Sequence, residues 1–180
     1  MNKPRIMVAI AVAMLVAAGQ ACVAQSDNSA PPSIEQRLGG FADRMRLGLS
    51  IASVAAFSPT VSDAHGQAER LIVLLRGDPH EAAPGLLPEA ASFSDWIAAR
   101  SFAPSLQVAL LGATANVQGF LRLAIEAAIS ADRDRSLANA TEDLLSVYAY
   151  LLAAWGQPID GIVVPGLVML LRAFDVPVTS

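Results

Sequence analysis

Cysteine and lysine each occur once in this chain of 180 residues, histidine twice, and charged side chains make up only 16% of it. A single cysteine excludes an intramolecular disulfide framework and any zinc site built on several thiolates. Twelve glycines and eleven prolines are close to average usage, so the chain is neither collagenous nor a Pro/Gly-rich disordered segment. Reactive signatures are missing as well: there is no Gly-x-Ser-x-Gly elbow, phosphate-binding glycine loop, EF-hand or c-type haem attachment motif. No segment alternates long enough to read as a strand, and none repeats at a fixed period.

What the chain has in excess is apolarity, at 54% hydrophobic. Part of it sits at the N-terminus, where Lys3 and Arg5 precede an unbroken apolar run from Ile6 to Ala18. A positive n-region before such a run reads as a secretory signal peptide. As a helix the run would rise only ~20 Å, short of a ~30 Å hydrocarbon core, which argues against a permanent anchor. Small residues allow cleavage after Ala21 or after Ala24. The first cut makes Cys22 the leading residue, and GQAC resembles the bacterial lipoprotein processing box, which implies a lipid anchor at Cys22. The second removes Cys22 with the signal. Residues 25 to 33 (QSDNSAPPS) read as a flexible leader, and the mature protein is expected to be periplasmic, secreted or lipid-anchored.

Without residues 1 to 24 every remaining cation is arginine, ten against sixteen acids, for a net charge of −6. An acidic domain with no basic run lacks the electrostatic footprint of a nucleic-acid binder. Residues 34 to 180 form one domain by length. Their apolar residues recur at threes and fours, which predicts an all-α helical bundle of about four main helices plus short ones.

The first helix is expected over Ser33 to Phe57, with Ile34, Leu38, Phe41, Met45, Leu49 and Ala52 inward and Pro59 closing it. Thr60 and Asp63 form a variant capping box for a second, whose core face is Val61, Ala64, Ala68, Leu71, Ile72 and Leu75 and whose stop is Gly77. Three prolines and Gly85 predict an irregular connection from Asp78 to Ser92, then a short helix over Asp95 to Arg100 with Trp96 inward. Pro104 opens a long apolar helix to Ser130 that reads as buried rather than membrane-spanning, because Gln107, Asn116 and Gln118 interrupt it. Ser136 to Trp155 carries a heptad seam at Leu137, Thr141, Leu144, Tyr148, Leu151 and Trp155. A last short helix starts at Pro165, anchored by Val168, Leu171 and Phe174.

Chemistry is sparse. His65 and Glu69 are four apart on one helix, a spacing at which two side chains share a metal ion or form an ion pair, and a surface ion pair or a capping role is the favoured reading. A metal site needs further ligands, and His80 supplies one only if the segment Asp78 to Glu81 folds back. Met45 and Met169 read as core rather than as axial haem ligands, and Asn139 to Thr141 matches a glycosylation acceptor inside a helix.

The segment DAHGQAERLIVLLRG from Asp63 to Gly77, followed by GLLP at 85 to 88, resembles a pattern in exported bacterial helical proteins of unassigned activity. In these a histidine-bearing helix ends in an aliphatic run and an acid-Gly turn, followed by a Gly-x-Leu-Pro loop. Arg76 stands here in place of the acid and Ala68 in place of a second histidine. The resemblance implies an exported α-helical domain and no more. Three classes of function follow: a non-enzymatic binding or interaction module with a protein partner or a second copy, a binder of a metal ion or small ligand using His65, Glu69, His80 and the 78 to 92 segment, and an enzyme with a dispersed site such as Asp63, His65 and Glu69.

Overall fold

The computed structural model describes residues 31–78, 84–156 and 164–178, and everything below concerns the compact unit that begins at Ser33. The expected signal peptide and leader up to residue 30, Cys22 and His80 lie outside the described residues. The fold is all-α, with six helices and no strand among the described residues: α1 Ile34–Ala55, α2 Val61–Arg76, α3 Leu86–Ala98, α4 Pro104–Arg133, α5 Leu137–Trp155 and α6 Leu167–Ala173.

Local sequence explains most of the boundaries. Ser33 caps α1 in a full capping box, its hydroxyl accepting from the Gln36 amide while the Gln36 side chain accepts from the Ser33 amide. Thr60 caps α2 by accepting from the Asp63 amide at 3.1 Å, and its hydroxyl donates to the Asp63 carboxylate at 2.6 Å. Pro104 occupies the first turn of α4, where its missing N–H costs nothing.

One expectation is corrected and three are met in part. The irregular connection from Asp78 to Ser92 ends at Gly85, because Pro88 falls in the first turn of α3, where a proline is tolerated, and α3 continues through Ser92 to Ala98. Trp96 is only half-buried, packed on Phe102 and Phe174 at centroid distances of 6.3 and 5.5 Å with the Arg100 guanidinium over its other face. Half of the expected α5 seam is buried, at Leu144, Leu151 and Trp155, while Leu137, Thr141 and Tyr148 are half-buried and Ala140, Val147 and Ala154 complete the buried face instead. Finally, α6 begins two residues after Pro165 and buries Leu167, Leu170 and Leu171, leaving Val168 and Phe174 half-buried.

A repeat does exist, in burial rather than in identity. Leu38, Phe41, Met45, Gly48, Ala52 and Ala55 of α1 are buried, and so are the residues 76 positions later in α4: Thr114, Val117, Leu121, Ala124, Ala128 and Ala131. Ala64, Ala68, Leu71 and Leu75 of α2 correspond in the same way to Ala140, Leu144, Val147 and Leu151 of α5. The packing follows a pseudo-two-fold relation. As α1 lies on α5, so α4 lies on α2, and as α3 lies on α4, so α6 lies on α1. Two helical hairpins thus interlock into one four-helix core, each followed by a short helix. In this arrangement α4, long and apolar enough to cross a membrane by length and composition alone, packs against α2, α3, α5 and α6.

Each hairpin ends on the same backbone device. Gly77 closes α2 with φ +91°, and a Cβ on Gly85 would lie inside the Arg76 and Gly77 backbone that crosses it. Gly156 closes α5 with φ +97°, and a Cβ on Gly166 would come within 2.6 Å of the Ala154 carbonyl oxygen. The sequence carries a faint trace of this, Gly-x-Pro-x-acid and then Pro-Gly-Leu, from Gly77 to Leu86 and again from Gly156 to Leu167.

Candidate functional site

The Gly77 and Gly85 crossing decides the shape of the surface beside it. An isolated bridge joins Gly77 to Pro84, so the chain leaves α2 and returns at one point, over the outer groove between α1 and α2. Arg44 of α1 fixes it there. Its guanidinium donates to the Pro84 carbonyl oxygen at 2.5 Å and forms an ion pair with the buried Glu89 carboxylate of α3. Burial lowers the Arg44 pKa from its ordinary value, and because that value is far above neutrality the group stays charged. Nearby, Arg37 donates to Ser92 at 2.6 Å and stacks over Phe93 at 5.0 Å, so α1 and α3 are held by two arginines along one edge.

Against this wall opens a cleft of about 500 Å³, in the size range of small-molecule sites. Its sides are Leu47 and Ile51 of α1 and Val73 and Leu74 of α2, its end is the Gly77 to Gly85 crossing, and Glu69 and Arg70 stand in its lining. Leu47 and Val73 remain 51% and 46% exposed, so apolar side chains face water here instead of closing on each other. The corresponding positions of the second hairpin differ in kind. Phe120 stands where Arg44 does and Tyr150 where Leu74 does, both half-buried against the core, while Leu145 and Ser146 replace Glu69 and Arg70.

His65 and Glu69 make different contacts, and that of His65 is a capping one. His65 is half-buried on α2 and its Nε2–H donates to the Asp134 carbonyl oxygen at 2.7 Å, satisfying a main-chain acceptor at the end of α4. That bond places the proton of the neutral ring on Nε2 and leaves Nδ1 as an acceptor. Glu69 is exposed and belongs to the cleft. Beside His65, the Asp134 carboxyl is raised above its usual range by desolvation first, then by the hydrogen bond and like charge of Asp143, with His65 pulling the other way. Among the described residues no group of three or more His, Cys, Asp or Glu side chains is placed to hold a metal ion, and His80 is not one of those residues.

Arg44, Arg70 and the apolar lining were not among the sequence candidates. They follow from the groove between two helices, which apolar spacing along one helix does not register. The nearest signal was the pair of glycines at 77 and 85 bracketing a short segment. Comparison with protein-family models, with curated proteins and with solved structures returns no match.

Proposed function

We propose that the mature chain is an exported, non-enzymatic binding module, and that the cleft between α1, α2 and the Gly77 to Gly85 crossing receives its ligand. The observation that carries this reading is the contrast between the two hairpins. One burial pattern builds both and leaves Leu47 and Leu123 exposed at equivalent positions, yet the first sets an ion-paired arginine, an acid and a second arginine where the second has Phe120, Leu145 and Ser146. Core packing alone does not call for that difference, since the equivalent positions of the second hairpin lie on the same fold without those charges.

Export is supported by the n-region and apolar run at residues 3 to 18. Native mass spectrometry of protein purified from its own cell envelope tests both halves of the reading. The mature chain should begin at residue 22 or 25 and carry an additional bound mass that is lost from a Val73→Asp variant, which places a charge in the cleft wall. A full-length chain beginning at Met1, or a bound mass indifferent to Val73→Asp, would sink it.

A further inference from the structure

The charges around the cleft specify more than an apolar guest. Arg44 is committed, its guanidinium neutralised by Glu89 and tied to the Pro84 carbonyl, so it forms wall and offers no free charge. Asp78 is already partnered. Arg70 is different. Among the described residues its guanidinium touches only the Gln67 side-chain oxygen, at 3.4 Å, a long contact between neutral amide and cation on the same helix. A guanidinium beside an apolar surface and short of acceptors matches the planar, two-oxygen geometry of a carboxylate. Glu69, the next residue in the lining, would oppose a second negative charge, which disfavours a dianionic phosphate.

Size and length limit the rest of the guest. From Arg44 to Ile51 along α1 is about 10 Å at the helical rise per residue, with Leu47 between them, and Val73 and Leu74 face that stretch from α2. We propose that the cleft binds a small amphiphilic carboxylic acid, its apolar body lying along Leu47, Ile51 and Val73 and its carboxylate on Arg70. This rests on the cleft being the binding site, as proposed above, and adds the chemistry of the guest.

Three probes of equal chain length separate the head groups: octanoate, octylamine and octanol, titrated into the full mature chain while the methyl resonances of Leu47, Ile51 and Val73 are followed by nuclear magnetic resonance. Octanoate should shift these methyls saturably and most tightly of the three. Arg70→Gln should weaken octanoate about fivefold, the upper range for an exposed ion pair, and leave octanol unchanged, while Glu69→Gln should tighten octanoate. Arg70 and Glu69 are both exposed, so the variants fold as the parent does. If octylamine or octanol binds as tightly as octanoate, or if Arg70→Gln leaves octanoate affinity unchanged, the carboxylate assignment is overturned and the cleft stands. If none of the three moves those methyls, the cleft falls with it.

Discussion

Gly85 shows how much of this molecule turns on single atoms. The space a Cβ would need at Gly85 is filled by the backbone of Arg76 and Gly77, and backbone cannot rotate aside as a flexible side chain does. Gly85→Ala must therefore push α3 away from the end of α2, and it should cost about 2–3 kcal/mol of stability, read from urea unfolding midpoints. The same substitution at Gly112, whose Cβ would meet nothing within 4 Å, should be neutral or mildly stabilising by relieving the helix of a glycine. Arg44 is the other residue on which the local arrangement depends, because it joins three segments through one planar group. Lysine in its place would keep the charge and lose the fork that reaches Glu89 and Pro84 together.

Among the elements, the junction between α4 and α5 brings two carboxyl groups and a histidine together. Asp134 ends α4, its carbonyl held by His65 and its carboxyl beside Asp143. A carboxyl whose folded pKa is raised favours the protonated form. Its stabilising contribution is present below the usual value of 3.8 and is lost as pH rises through the raised one. Asp134→Asn, which fixes the neutral state, should therefore unfold at higher urea than the parent at pH 7, with the two converging near pH 3. An advantage that persists or grows at low pH would contradict the cause given for the shift. Much of this level was readable beforehand. The starts of α1, α2 and α4 follow from Ser33, Thr60 and Pro104, whose capping chemistry is local. The start of α3 was not, because Pro84 and Pro88 read alike in sequence although only one of them precedes the helix. The α5 seam is legible only at Leu144, Leu151 and Trp155 for a related reason: nearly every residue from Leu144 to Trp155 is apolar, so periodicity cannot choose the whole buried face, and the partners α4 and α1 do. The cleft was out of reach altogether, since it depends on which outer side chains of two helices fail to meet.

For the molecule as a whole, the 76-position correspondence turns one chain into two interlocked copies of a hairpin. Neither hairpin can bury its inner face alone, because α1 needs α5 and α2 needs α4. Equivalent truncations should thus be felt alike. Met45→Ala and Leu121→Ala, both at fully buried positions, should each cost about 2–5 kcal/mol, with a single cooperative unfolding transition in both variants. A large asymmetry, or a second transition in one of them, would mean that one hairpin holds together without the other. The two tryptophans are placed to decide this without any label. Trp155 of α5 lies under the Arg46 guanidinium of α1 at 5.0 Å, and Trp96 of α3 meets Phe174 at the end of α6. Each indole therefore belongs to one copy of the hairpin and touches a side chain of the other, so intrinsic fluorescence reports the docking of the two copies, whereas circular dichroism reports the helices themselves. Emission that changes together with helicity means that the copies separate only by unfolding, and emission that changes first reveals a state in which intact hairpins have come apart.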